Sequence, residues 1–63
     1  MIEDLDRQLK KIKSHLNSAS DYAQRAKRHA ASDEVDQAST DIRRASDEID
    51  TAISMVNKLR RQL

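Results

Sequence analysis

The chain has no glycine, no proline and no cysteine, and each absence narrows what it can be. Lacking cysteine, it cannot be stapled by disulfides, which small domains often need to offset the entropy of ordering a short chain. Lacking glycine and proline, it carries none of the usual punctuation between elements, so a turn must be found from pattern and charge. Tyr22 is the only aromatic, which leaves a core of small aliphatic side chains. The net charge of +1 gives no whole-molecule field pointing to nucleic acid or membrane. No apolar run approaches the ~20 residues that cross a bilayer. The opening MIEDLD is acidic where a secretory signal is basic. These features predict a soluble, cytoplasmic protein of one small domain spanning residues 1–63, with self-association as the expected source of further burial.

What is present is periodicity. Apolar residues fall at Ile2, Leu5, Leu9, Ile12, Leu16, Ala19, Ala23, Ala26 and Ala30, alternating steps of three and four that place them on the a and d positions of a heptad. Val35, Ala38, Ile42, Ala45, Ile49, Ala52, Val56, Leu59 and Leu63 repeat the pattern. Between Ala30 and Val35 the frame jumps by five, whereas a continuous coiled coil absorbs insertions of three or four. A rod running on in the old frame would put Asp33, Gln37, Thr40 and Arg44 on its seam.

Charge points to the same break. Helix N-termini favour acids and C-termini favour bases. Glu3, Asp4 and Asp6 open the first half and Arg25, Lys27, Arg28 and His29 close it; Asp33, Glu34 and Asp36 then open the second, with Lys58, Arg60 and Arg61 near its end. Ser32 is an apt N-cap for the second helix. The spacing predicts an all-α, antiparallel two-helix hairpin: helix 1 about residues 2–29, a turn about 30–32, helix 2 about 33–62. A turn there sets a positions against d positions: Leu16 with Ala45, Leu9 with Ala52, Ala19 with Ile42, Ala26 with Val35. At the g positions it sets His15 opposite Glu48, Tyr22 opposite Asp41 and His29 opposite Glu34.

A hairpin alone leaves one side of its apolar seam in water, and a homodimer forming a four-helix bundle would cover it. The seam predicted for core and dimer is Leu5, Leu9, Ile12, Leu16, Ile42, Ile49, Ile53, Val56 and Leu59. Ile53 and Met55, at e and g, widen the stripe on which a second hairpin would sit. Ser20 and Ser46, opposite each other at e, read as tight packing. The alternative is a lone hairpin offering its open face to a different, unidentified protein. Either way the expectation is a non-enzymatic structural or protein–protein interaction module.

In length, in its two heptad helices, in the five-residue frame jump and in the short turn AASDEVDQ without glycine or proline, the whole chain resembles the Rop family of plasmid-encoded RNA-binding proteins. The resemblance implies a dimer of hairpins that binds structured RNA through a face made by the first helix of each subunit. The matching outer face here carries Arg7, Lys10, Lys11, Asn17, Gln24, Arg25 and Arg28 as candidate RNA contacts, with Asp21 its single acid from Arg7 onward. Residues 2–31 hold seven Lys/Arg and four Asp/Glu, against five and seven in residues 32–63. Lysines and arginines along a helix can contact phosphates, and Asn and Gln can reach base or ribose edges. The face has no aromatic for stacking, where the family carries a phenylalanine. The competing account of these charges is a solvated helix surface.

Chemistry of other kinds finds no pattern. His15 and His29 lack a Glu-x-x-His or His-x-x-x-His partner, the a and d positions offer no inward carboxylates, and none of the seven serines has a His and an acid arranged around it. The sequence predicts no catalytic residue, no metal, no cofactor, no small-molecule substrate and no membrane partner.

Overall fold

The computed structural model describes residues 2–63, with side chains from Glu3 onward. The side chain of Ile2, the first expected seam position, lies outside the described residues. Two helices, α1 (Ile2–Ala31) and α2 (Val35–Gln62), fold back on one another as a hairpin about 48 Å long, and no strand occurs among the described residues. Their ends complement the helix dipoles: Glu3 and Asp4 open α1 and Arg28 and His29 close it, while Asp36 opens α2 and Arg60 and Arg61 close it.

The turn falls later than the charge pattern suggests. Helix α1 continues to Ala31 and α2 begins at Val35, so residues 32–34 make the connection. The Glu34 N–H donates to the His29 carbonyl at 2.8 Å and the Asp33 N–H to the Ala30 carbonyl at 3.1 Å, with Asp33 at φ 59°. This is a Schellman ending, in which one left-handed residue lets the next amides satisfy carbonyls left over at the helix C-terminus. Glycine usually occupies that position. In a chain without it, aspartate is one of the few residues whose short polar side chain tolerates the left-handed region. Ser32 therefore finishes α1, its N–H donating to the carbonyls of Arg28 and His29, and is not the N-cap of α2. Glu34 holds that place without a side-chain cap.

Moving the turn changes which positions meet. The apolar residues buried between the helices are all at d: Ile12, Ala19, Ala26, Ala38, Ala45, Ala52 and Leu59. Ile12, Ala52 and Leu59 form one cluster, with Leu5 and Met55 packed against it. The a-on-d layers expected from the sequence do not form; Val35, for example, is 70% exposed although Ala26 is buried. Alanine at five of these seven d positions lets the helix axes approach closely. The neighbouring g positions bear polar side chains able to pair across the seam. A seam of d and g turns the larger a residues about a quarter of a helix circumference away. Met55, expected on the dimer-facing stripe, lies at g and is used inside the hairpin instead.

Candidate interaction surface

The a positions of both helices point to the same side of the hairpin. Ala23 of α1 and Ile42 and Ile49 of α2 line one shallow apolar cavity of about 370 Å³, with Ala26, Ala45 and Ser46 completing it. Leu9 and Leu16 are each 49% exposed, Ile42 61% and Ile53 52%, with Ile49 and Val56 also open. Of the predicted seam, then, Ile12 and Leu59 are buried, Leu5 is half-buried, and Leu9, Leu16, Ile42, Ile49, Ile53 and Val56 lie on this face. Single exposed aliphatics are ordinary; a stripe of them along both helices is a candidate interaction surface. Ser20 and Ser46, at e, are exposed beside it and keep that stretch of the face low.

Along the seam itself the g positions form a polar ladder. His15 Nδ1 lies 3.1 Å from Glu48 Oε2, as the expected register places it. At the next positions the register departs from expectation: His29 Nδ1 lies 2.6 Å from Asp41 Oδ2, so His29 does not pair with Glu34, nor Asp41 with Tyr22. Side chains lean toward their own helix N-terminus, and in an antiparallel pair His29 and Asp41 lean toward each other. Near the chain ends Gln8 Nε2 donates to Gln62 Oε1 at 3.4 Å by the same convergence. Asp41, expected opposite Tyr22, is 5% exposed, a buried carboxylate. Its signal was available in the period: Asp41, Glu48, Met55 and Gln62 repeat every seven residues opposite Gln8, His15, Tyr22 and His29.

The candidate RNA contacts Arg7, Lys10, Lys11, Asn17, Gln24, Arg25 and Arg28 are all exposed on α1. Several have neighbours on the chain. Arg7 lies 3.4 Å from Asp4 and Lys10 3.0 Å from Asp6, exposed pairs of the kind worth a few tenths of a kcal/mol. The Arg25 guanidinium stands 5.4 Å from the centre of the Tyr22 ring and that of Arg44, from α2, 6.0 Å. Both are within reach of a cation–π attraction. Tyr22 thus gathers two cations from different helices at the rim, in place of the carboxylate expected there.

Each histidine is held by a single carboxylate across the seam. Among the described residues no group of three or more His, Cys, Asp or Glu is placed to hold a metal, and no helix is long and apolar enough to cross a membrane. Comparison with protein-family models, with curated proteins and with solved structures finds no match to this chain.

Proposed function

We propose that the chain is a non-enzymatic interaction module of the cytoplasm that works by self-association, two hairpins closing their apolar faces into a four-helix bundle. The observation that carries this reading is the stripe of Leu9, Leu16, Ile42, Ile49, Ile53 and Val56 left open beside a seam already filled by alanine. Area supports it. The chain exposes 5141 Å², about 1,000 Å² more than the roughly 4,100 Å² expected of a compact monomer of its mass. That surplus is of the size one partner contributes to a standard interface, about 800 Å². Sedimentation equilibrium at micromolar concentration tests the reading, with a dimer expected for the native chain and a monomer for Ile49→Asp, which sets a charge in the middle of the stripe. A native chain that stays monomeric and melts at a concentration-independent temperature would refute it.

A second reading, binding of structured RNA, rests on the seven exposed basic and amide side chains of α1. Filter binding at two salt concentrations tests it. Affinity falls steeply with salt if phosphates are being neutralised. Lys10→Glu with Lys11→Glu abolishes binding, and Arg43→Glu with Arg44→Glu on α2 has much less effect. Equal loss from both pairs, or no binding at low salt, removes this reading.

A further inference from the structure

In α2 the order Arg43, Arg44, Ala45, Ser46 is the only place in the chain where two arginines stand three and two residues before a serine or threonine. Both arginines are exposed, and among the described residues neither pairs with a carboxylate. Ser46 is exposed as well. It lines the cavity of about 370 Å³ on the open face, beside Ala23, Ile42 and Ile49. Building on the self-association reading, we infer that Ser46 is a phosphorylation site for an arginine-directed serine kinase, and that the phosphate keeps two hairpins apart.

The spacing carries the first half of the inference. Kinases of this class select substrates by charge, receiving arginines ahead of the serine on carboxylates beside their active site. No other serine offers that pattern: Ser14 follows Lys11 and Ile12 at the same two positions, and Ser32 follows His29 and Ala30. In the transfer, Ser46 Oγ bonds to the γ-phosphorus of ATP. The bond from that phosphorus to the bridging oxygen breaks, ADP leaves with the electron pair, and the hydroxyl proton passes to the kinase's catalytic carboxylate. The kinase must draw the segment around Ser46 away from α1, and the apolar side chains buried there are Ala38, Ala45 and Ala52. Small side chains bury little area, so opening this stretch costs less than opening one held by larger residues. A second hairpin seated on the face would cover Ser46, so the kinase and the second copy compete for the same surface.

The cavity carries the second half. Its lining besides Ser46 is wholly aliphatic, with Ala26 and Ala45 completing it. A hydroxyl there is a small polar group that can turn to its own helix. A phosphate brings a charge of about −1.5 to −2 and three strong acceptor oxygens. Closing a second hairpin over it would strip water from that charge where no donor or cation lines the cavity, a cost that the apolar contacts do not offset.

Two measurements test the two halves. The native chain is incubated with ATP and a purified arginine-directed serine kinase, and the phosphate is located by peptide mapping. Ser46 is the expected site, and Arg43→Gln with Arg44→Gln should lower incorporation there by at least about tenfold, because the charge pattern is lost. Incorporation at Ser14 in place of Ser46, or undiminished incorporation in the double variant, overturns the assignment.

Sedimentation equilibrium then compares the unmodified and phosphorylated chains. Phosphorylation and Ser46→Asp should each weaken dimerisation by at least about tenfold, as expected of a charge buried without a partner. Ser46→Ala should stay within about threefold of native, as substitutions that leave packing intact usually do. Ser54→Asp is the control for net charge and for aspartate within α2, since Ser54 lies at the exposed f position; it too should stay within about threefold. Equal losses from Ser46→Asp and Ser54→Asp, or a phosphorylated chain that dimerises as tightly as the native one, overturn the inference and leave self-association standing. An unmodified native chain that is monomeric overturns both.

Discussion

Asp33 and Asp41 are the two residues in which local physics is most exposed. Asp33 is held at φ 59°, a conformation that costs a residue with a Cβ roughly 1 kcal/mol relative to glycine. Asp33→Gly is expected to raise stability by about 0.5–1 kcal/mol in urea unfolding, and Asp33→Val to lower it by more than 1 kcal/mol, because a β-branched residue is least tolerant there. Asp41 is buried with His29 Nδ1 2.6 Å from its carboxylate. Removing the imidazole strands the carboxylate, and His29→Ala should cost about 1–3 kcal/mol. Adding Asp41→Ala should recover part of that loss, since removing both partners is far milder than removing one. Purely additive losses in this cycle would mean that the two side chains do not share an interaction.

At the scale of the element, each helix is specified by three stripes with different tasks. The d stripe is mostly alanine and brings the helices close, the g stripe pairs polar groups across the seam, and the a stripe builds the second face. Ile12 is the large side chain that α1 commits to the seam, 6% exposed. Ile12→Ala is therefore expected to cost about 2–4 kcal/mol, more than the same kind of truncation at the half-exposed Leu16 when both are measured at low protein concentration. Ala52, 2% exposed, is the most deeply buried residue of the seam. Ala52→Leu should cost about 1–3 kcal/mol by forcing the helices apart. Retained stability in that variant would show that the seam can open without loss.

For the whole molecule, the deciding quantity is surface. A hairpin with principal extents of 48 × 16 × 9 Å is too thin to enclose its own apolar residues, so half of its heptad pattern is used between the helices and half is turned outward. On the proposed self-association, folding and association are coupled. The thermal midpoint of the native chain should rise with protein concentration across the micromolar range, and Ile42→Asp should lower it and remove that dependence. A midpoint independent of concentration in both would mean that the open face contributes nothing to stability.

The amino-acid order alone determines that there are two helices, that they fold back on one another and that the break falls between Ala30 and Val35, because the frame jump there and the reset of charge at Asp33 are local signals. It also places Leu9, Leu16, Ile42 and Ile49 on one stripe of the heptad, the a positions. The tertiary structure decides which stripe meets which. A turn ending in a left-handed Asp33, later by two residues than the Ser32 cap signal suggests, shifts the pairing from a-on-d to d-on-d. It thereby buries Asp41, brings His29 to it and leaves the a residues on a common face. Periodicity fixes the angular positions of side chains around each helix, but their height against the neighbouring helix depends on the geometry of the connection.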